Sequence, residues 1–544
     1  MTLISETPEV AGTEPSYLDV DHGLKSWLLT TDHKRIAILF MIAVTLFFFM
    51  GSLAASAIRI ELITPEGDFL TADGYNRSFT FHGVIMVWFF LIPSIPSVLG
   101  NFLIPLMIGA RDMALPRLNL ASWYLLMGGG LFTLFALIAG GVDTGWTFYT
   151  PLSTMFTHGH VVAVIIGVFV TGFSSIFTGI NIIMTVHTLR APGMTWFRLP
   201  LFVWSLYATA VILVLATPIL AITLILVAAE RIFGIGVFDP GLGGDPLLFQ
   251  HLFWFYSHPA VYIMLLPGMG VMSELVTASA HKRIFGYSFV AFSSVTIAIL
   301  GFMVWGHHMF VSGQSMYASM LFSLLSFLIS IPSAIKAYNW TATYYKSRLT
   351  INAPFLYSVT FITLFMFGGT AGLFVALLAA DVHVHDTYFV VAHFHYIMVG
   401  ASVSAYFGGL HFWWPKITGR MYPELWARIA AVTMFFGFNI TFFPQFILGY
   451  LGMPRRYHSY DPEFQFLNDL SSAGACVLAV AYSLPFFYLT WSLVKGQKAV
   501  ANPWRAAGLE WSVPSPPPKN NFEHIPLVDF EAYDYPSEAT HEPR

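Results

Sequence analysis

Two histidines, His393 and His395, stand two residues apart in the apolar stretch DTYFVVAHFHY at 386–396. On a helix, residues two apart point in nearly opposite directions, about 200° around the axis. Because a buried imidazole is costly in a membrane unless something binds it, each ring needs its own partner. The pair therefore predicts either two cofactor contacts on opposite flanks of one helix or two structural hydrogen bonds to neighbouring helices.

Four further histidines are predicted to lie at the same depth, in the outer third of the membrane. They are His82, His258, His307 and His308. Imidazole is a ligand of haem iron and of copper, and no carboxylate or thiolate stands nearby to favour another metal. In one possible division, His82 and one of the pair His393/His395 ligate a six-coordinate haem. The other histidine of that pair then ligates a second haem, and His258, His307 and His308 hold copper.

The composition is that of a polytopic membrane protein. The chain is 56 % apolar and 10 % charged, with a mean hydropathy of +0.68, whereas soluble domains carry about a quarter charged residues. The net charge of −4 does not suggest a nucleic-acid partner. The one cysteine, Cys476, excludes disulfides, cysteine-ligated zinc or iron–sulfur clusters and a CxxCH haem attachment site within this chain.

The elements that must position the histidines are twelve apolar segments, each near the roughly 20 residues that a spanning helix needs. They predict an all-α bundle of twelve transmembrane helices over residues 36–495. The segments lie at 36–58, 80–107, 119–140, 160–186, 200–230, 250–277, 286–304, 317–345, 353–380, 388–412, 427–451 and 471–495.

Polar segments flank this helical domain. Residues 1–35 lack an apolar core with a cleavage site, so we expect a cytoplasmic tail rather than a signal peptide. Residues 496–544 contain VPSPPP at 513–518 and are expected to form an extended, mobile, Pro-rich cytoplasmic tail. With both ends inside, no lysine falls in an outer loop, as the positive-inside rule requires. The outer arginines Arg59, Arg455 and Arg456 need another explanation.

Several motifs, in order, resemble subunit I of the haem-copper oxidases, most closely the A-type cytochrome c oxidases. The resemblance covers nearly all of residues 30–495. Its motifs are FHG at 81–83, GNFLIPLMIGARDMALPRLN at 100–119, HPAVY at 258–262, WGHHMF at 305–310, GTAG at 369–372, HDTYFVVAHFHY at 385–396 and GMPRRY at 452–457.

The resemblance implies a role for each of the six histidines. His82 and His395 would ligate the low-spin haem, and His393 would ligate the oxygen-binding haem. His258, His307 and His308 would hold the copper that faces it. Tyr262, one turn after His258, resembles the tyrosine that this family links covalently to the copper histidine and that supplies an electron and a proton when the O–O bond breaks.

The same resemblance gives a reason for the arginines on the outer side of the membrane. Arg455 and Arg456 match arginines that hold haem propionates, Arg59 matches one near the low-spin haem's formyl group, and Trp254 resembles the propionate-side tryptophan. A further pair, His385 and Asp386, resembles ligands of a structural Mg²⁺ between subunits.

Two proton routes are also implied. Lys336, the only lysine deep inside a predicted span, resembles the K pathway together with Ser333, Ser273 and Tyr262; the alternative is a lysine that reaches to the inner interface. Asp112 resembles the entry of the D pathway. Asn101, Asn119 and Asn181 match that entry together with Asp112, and Ser174 and Ser175 lie further along the route.

One position departs from the family pattern. Most A-type enzymes have a glutamate where this chain has Ala260, and that carboxyl normally ends the D pathway. Here Tyr256 and Ser257 precede the copper histidine, which resembles an A-type subgroup with a Tyr-Ser pair instead. A phenol, with a pKa near ~10, is a poorer ionisable relay than a carboxylic acid near ~4.3, but it can pass protons along a hydrogen-bonded chain.

The sequence therefore predicts the catalytic subunit of a terminal oxidase in a bacterial plasma membrane, reducing O₂ to water with coupled proton uptake and proton pumping. It would carry two haems, with haem A expected, and one copper. Nitric oxide reductase, C-type oxidase and secondary transporter are disfavoured alternatives. Gly74 and Arg77 stand where quinol oxidases carry His and Gln, so cytochrome c or a similar carrier is favoured over quinol. Electrons would enter through a subunit II, and a subunit III and small subunits would complete the complex.

Overall fold

The computed structural model describes residues 15–535 as a bundle of helices, and no strand occurs in that range apart from three isolated bridges. The principal helices are α1 (His33–Glu61), α2 (Ala72–Ile108), α3 (Pro116–Ala139), α4 (Val161–Thr188), α5 (Leu201–Phe233), α6 (Pro246–Ala280), α7 (Tyr287–Gly301), α8 (Met316–Tyr344), α9 (Ala353–Ala376), α10 (Tyr388–Thr418), α11 (Glu424–Tyr450) and α12 (Pro462–Lys495). The all-α membrane fold is confirmed.

The all-helical bundle agrees with the prediction, but the count of twelve spanning helices is not confirmed. Eleven helices in the described range are long and apolar enough to cross a membrane, and the remaining one, α7, has 15 residues. At 1.5 Å per residue α7 measures about 22 Å, less than the hydrocarbon core of about 30 Å. It ends at Gly301, and the chain continues as the short turn Trp305–Met309, which carries two of the predicted ligands.

The apolar segments 85–108 of α2 and 256–280 of α6 are buried almost throughout, as expected for helices at the centre of a bundle. In α2 the α-helix gives way to the wider π-helix at Ile85–Leu91 and Ser94–Gly100, beside Pro93 and Pro96, which cannot donate to the regular hydrogen-bond ladder. A third π-helical stretch, His395–Ala401, begins at a predicted haem ligand in α10. The first of these stretches begins three residues after His82 and the last begins at His395, so two of them adjoin predicted haem ligands.

The chain after α12 differs from the mobile tail that its composition predicts. Trp511, Asn521 and Tyr533 are buried, and the Lys416 ammonium at the end of α10 donates to the Val513 carbonyl at 2.6 Å. Burial raises the pKa of the Glu510 carboxyl to about 8. The described part of the tail, up to residue 535, therefore packs against the helix ends, opposite the six histidines; residues 1–14 and 536–544 of the predicted tails lie outside the described range.

Candidate metal centre

Three histidines from two separate parts of the chain form one compact cluster. His258 comes from the middle of α6, and His307 and His308 come from the turn after α7. One nitrogen of each ring can be chosen so that all three lie within 4.8 Å of one another. His258 Nδ1 and His308 Nε2 are 3.2 Å apart, while His307 Nδ1 contacts the Ser326 hydroxyl at 2.8 Å, which leaves its Nε2 free. This donor set fits a single copper ion.

Aromatic side chains hold the cluster in place. The Trp254 indole stacks on the His308 ring with centroids 3.7 Å apart and planes 7° apart. Its Nε1 donates to the Tyr149 hydroxyl at 2.5 Å, so the indole cannot rotate freely. Tyr262 lies one turn along α6 from His258, with ring centroids 4.9 Å apart. A Cβ on Gly301 would come within 3.0 Å of the Tyr262 ring, so glycine there makes room for the phenol.

His82 and His395 face each other across the bundle from α2 and α10. Their ring planes differ by 7° and their centroids lie 6.3 Å apart. Each Nδ1 is bonded to a backbone carbonyl, His82 to Gly51 at 2.9 Å and His395 to Val391 at 2.8 Å. Because Nδ1 then carries the proton, Nε2 of both rings is available as a ligand. With metal–imidazole nitrogen bonds of about 2 Å, this spacing fits one ion held between the two rings.

His393, on the opposite flank of α10, also has its Nδ1 bonded to a backbone carbonyl. Its Nδ1 bonds to the Gly368 carbonyl of α9 at 3.0 Å, which leaves Nε2 as the free nitrogen. A Cβ on Gly372 would come within 3.0 Å of the ring, so this glycine allows the imidazole to sit against α9. The alternative prediction of two structural histidines accounts for the Nδ1 contacts but not for the free Nε2 atoms.

One cavity of about 1720 Å³ joins these groups, and all six histidines line it. Sites for a single small molecule usually measure about 300–1,000 Å³, so this cavity has room for more than one large cofactor. Arg59, Arg455 and Arg456 also line it. Arg59 Nη1 and Arg455 Nε are buried without a hydrogen-bond partner in the described chain, so two cationic donors remain for an anionic or polar occupant.

The pair His385 and Asp386 has partners that the sequence did not reveal. His385 Nδ1 contacts Asp381 Oδ2 at 2.9 Å, and Arg455 pairs with Asp386 at 2.6 Å. Burial opposes ionisation of Asp386, but the neighbouring Arg455 and His385 hold its pKa below the usual range. His385 Nε2 lies 3.9 Å from an Asp386 oxygen. Asp381 stands four residues before His385, a helical spacing that could have suggested it.

Lys336 is fully buried, and its ammonium donates to the Ser294 hydroxyl of α7 at 2.7 Å. This position inside the bundle argues against a lysine that reaches to the interface. Ser333 and Tyr262 line the cavity, while Ser273 accepts from Trp340 Nε1 at 3.1 Å. Sequence reasoning missed Ser294, because nothing in a lone serine within an apolar helix distinguishes it.

The asparagines predicted at the entry of the D pathway form hydrogen bonds around the loop that carries Asp112. Asn101 and Asn119 exchange two amide hydrogen bonds of 2.9 and 2.8 Å, and Asn181 binds the backbone of Leu115. Asp112 lies in the same loop, and burial raises the pKa of its carboxyl to about 7. Near neutral pH this group can therefore both accept and release a proton.

Tyr256 is buried and stacks on Trp88 of α2, with centroids 5.8 Å apart and planes 15° apart. The neighbouring Ser257 hydroxyl is buried and has no hydrogen-bond partner in the described chain. Trp88, Ser174 and Ser175 line a separate cavity of about 10 Å³, which is close to the space of one water molecule. Trp88 thus adjoins both Tyr256 and this small cavity.

Together, the fold and the site define a helical membrane protein with a three-histidine cluster that can hold a metal ion and a cavity large enough for cofactors. The sequence profile of "Cytochrome C and Quinol oxidase polypeptide I" matches residues 35–477, and the chain belongs to this family. It is the catalytic subunit of a respiratory terminal oxidase, and the family carries haem and copper. The secondary-transporter alternative is therefore wrong.

Curated relatives cover nearly the whole chain. Cytochrome c oxidase subunit 1 of Synechocystis is 44 % identical over 523 residues, 95 % of each chain. That of Bacillus subtilis is 41 % identical, over 93 % of this chain and 82 % of its own. A solved structure of a heme-copper terminal oxidase dimer has the same fold, with a TM-score of 0.75 and 20 % identity over 88 % of this chain and 86 % of that one.

Proposed function

We propose that this chain reduces O₂ to water at a haem-copper centre with electrons from cytochrome c, and that it couples the reaction to proton uptake and pumping. The observation that carries the proposal is the cavity that all six predicted ligand histidines line, three of them clustered within 4.8 Å and three with Nδ1 bound to backbone carbonyls. His258, His307 and His308 would hold copper, His393 the oxygen-binding haem, and His82 with His395 the low-spin haem. The bound metals supply the electron transfer to oxygen.

The arginines that line the cavity, Arg59, Arg455 and Arg456, support haem A as the cofactor. Arg455 and Arg456 would bind propionates beside Trp254, and the unpartnered Arg59 Nη1 would donate to a formyl oxygen. The remaining Arg59 nitrogens are already bound to Ser472 and the Asn468 carbonyl, so the side chain is held in place. His385 and Asp386 would hold Mg²⁺ at a subunit boundary, with Asp381 orienting the imidazole.

Tyr262 would act at the reacting centre itself. His258 Nε2 is buried and has no hydrogen-bond partner in the described chain, and the Tyr262 ring packs beside the imidazole at 4.9 Å. This supports the covalent His–Tyr link expected from the family. The Tyr262 phenol would then give a proton and an electron, and Lys336 with Ser333 and Ser273 would restore the proton. A tyrosine on α6 also argues against a C-type oxidase, and these proton routes argue against a nitric oxide reductase.

For the D pathway, we infer that Asp112 takes up protons, that Asn101, Asn119 and Asn181 shape the entry, and that Tyr256 with Ser257 replaces the missing glutamate. The one-water cavity beside Trp88 supports a route that passes Ser174 and Ser175 toward Tyr256. This assignment puts the chain in the Tyr-Ser subgroup of A-type oxidases.

The Tyr256 relay can be tested by removing only its hydroxyl. Tyr256→Phe should cut turnover strongly while haem content survives, because the buried ring and its stacking on Trp88 remain. Ala260→Glu in the Tyr256→Phe background should recover part of the activity, since positions 256 and 260 are one helical turn apart. The measurement is oxygen consumption with proton release in reconstituted vesicles. Full activity and pumping in Tyr256→Phe would instead favour a water chain without the phenol.

Asp112 can be tested by removing its titratable group. Asp112→Asn should lower turnover and proton uptake, because the amide neither accepts nor releases a proton, while Asp112→Glu should retain most of both. Burial raises the pKa of Asp112, so the wild-type carboxyl is protonated below about pH 7 and ionised above it. The Asp112-dependent part of turnover should therefore change across neutral pH. A pH profile of Asp112→Asn that matches the wild type would contradict this role.

The electron donor and the orientation complete the proposal. Gly74 and Arg77 stand where quinol oxidases carry His and Gln, and Arg77 is paired with Asp73 at 2.8 Å, so cytochrome c is favoured and quinol remains the second candidate. A subunit II would deliver electrons, a subunit III and small subunits would complete the complex, and both termini would face the cytoplasm of a bacterial plasma membrane. The flanking tails would be residues 1–35 and 496–544, around the helical domain at 36–495.

An optical spectrum and oxygen consumption of the purified complex test the whole assignment. We expect two haem signals, one of which binds CO, and rapid oxygen uptake with reduced cytochrome c. Uptake with a quinol but not with cytochrome c would favour the second candidate. A complex with no haem bands would refute the proposal.

A further inference from the structure

A second group of buried polar rings lies on α10, away from the metal centre. His411 stands 16 positions after His395, about 24 Å further along the helix. It is fully buried, and three tyrosines from different parts of the chain surround it, namely Tyr357, Tyr422 and Tyr488. No part of the proposed oxygen chemistry or proton uptake uses these side chains.

The hydrogen bonds of His411 fix which nitrogen is a base. Nδ1 lies 2.7 Å from the Phe407 carbonyl, which can only accept, so Nδ1 carries the ring proton. Nε2 of the neutral ring is therefore an acceptor, and the Tyr488 hydroxyl donates to it at 2.5 Å. A phenol bound to a buried neutral imidazole has the arrangement needed to lose an electron and a proton together, because the oxidised phenol is a strong acid and the base is already in contact.

Stacked rings connect this pair to the haem cavity. Tyr482 of α12 lines the cavity. Phe407 lies between Tyr482 and Tyr357, with centroids 5.9 and 6.2 Å away and planes 21° and 26° apart. Tyr357 in turn contacts His411 at 5.0 Å, and His411 lies 5.6 Å from the Tyr488 ring. The contact path between the cavity and the Tyr488–His411 pair is thus aromatic throughout.

We propose that Tyr488 and His411 form a redox site that donates an electron to the oxidised metal centre when no electron arrives from the normal donor. The oxidant is hydrogen peroxide, which takes up two electrons and two protons as its O–O bond breaks to give two water molecules. Tyr488 supplies one of these electrons, the bound metals would supply the other, and the protons come from solvent through the proposed routes. One electron leaves Tyr488 through the stacked rings, the phenolic O–H bond breaks, and its proton forms the Nε2–H bond of His411. The products are a neutral tyrosyl radical and an imidazolium; a later electron from the donor returns the pair to phenol and imidazole. The inference rests on the proposed position of the haems.

The test is electron paramagnetic resonance of the oxidised complex after addition of hydrogen peroxide, compared among wild type, Tyr488→Phe and Tyr406→Phe. Tyr406 is the matched control, because it is also buried and packs on Phe407 at 6.1 Å, but its hydroxyl binds no histidine in the described part of the chain. We expect Tyr488→Phe to lose a tyrosyl signal that wild type and Tyr406→Phe retain. Equal radical yields in all three proteins, equal losses in both variants, or no tyrosyl radical in the wild type would overturn the proposal.

Haem spectra and oxygen consumption of the same samples separate this inference from the proposed function. If Tyr488→Phe has normal haem bands and turnover but an unchanged radical signal, the redox role of Tyr488 is refuted and the proposed function is not affected. If Tyr488→Phe fails to assemble, double-resonance spectra of the wild-type radical in H₂O and D₂O give the answer. A radical hydrogen-bonded to the His411 imidazolium must show a coupled proton that exchanges with deuterium, and its absence would overturn the proposal.

Discussion

His258→Ala is expected to remove copper from the complex and reduce oxygen consumption to background, while the low-spin haem spectrum stays intact. His258 is the only ligand of the cluster that α6 supplies, and the two histidines left after α7 cannot complete a three-nitrogen site. The proposed low-spin ligands His82 and His395 lie on α2 and α10 and keep their own backbone hydrogen bonds. Metal analysis, optical spectra and oxygen uptake of the purified variant make the measurement.

His251→Ala is the matched control, because this histidine lies two turns earlier on α6 and binds Trp305 Nε1 at 3.1 Å, outside the cluster. It should retain copper and most of the activity. Loss of both haem signals in His258→Ala would show that the ligand assignment is wrong or that the bundle does not assemble. Copper retained at the wild-type level would exclude His258 as a ligand.

Lys336→Met is expected to slow reduction of the oxygen-binding haem by roughly tenfold or more, because a positioned proton donor typically contributes at least that much. Reduction of the low-spin haem should be unchanged. The methionine fills similar space but cannot hold or pass a proton, and Lys336 is fully buried with Ser294 as its hydrogen-bond partner. Stopped-flow spectra that follow the two haems separately make the measurement.

Two variants with smaller expected effects and one control variant help to interpret the result for Lys336→Met. Ser333→Ala and Ser294→Ala should slow the same step less, since water can replace a hydroxyl in a wet channel. Lys282→Met removes a lysine that donates to the Tyr345 carbonyl in an exposed contact, and it should have no effect on either haem. Equal slowing of both haems in Lys336→Met would place the defect in electron entry rather than in proton delivery.

Much of this molecule could be predicted from local sequence, because helix geometry sets both the hydrophobic period and the direction of side chains. The opposed directions of His393 and His395 follow from their spacing alone, and the three-histidine cluster followed from the predicted segments. The count of spanning helices did not follow. An apolar segment of the right length at 286–304 contains the short helix Tyr287–Gly301 and an irregular turn, and hydropathy does not distinguish the two.

The partners of the buried polar groups were decided by tertiary structure. Lys336 meets Ser294, 42 residues away, and His411 meets Tyr488, 77 residues away, so neither pair leaves a local pattern. The Pro-rich composition after residue 496 predicted mobility, yet Trp511 and Tyr533 are buried against the helix ends. Residue type and helical period sufficed to predict which residues can bind metal and which helix faces carry them. Which side chains meet depends on how distant helices pack, because burial and hydrogen bonding across the bundle are properties of the assembled chain.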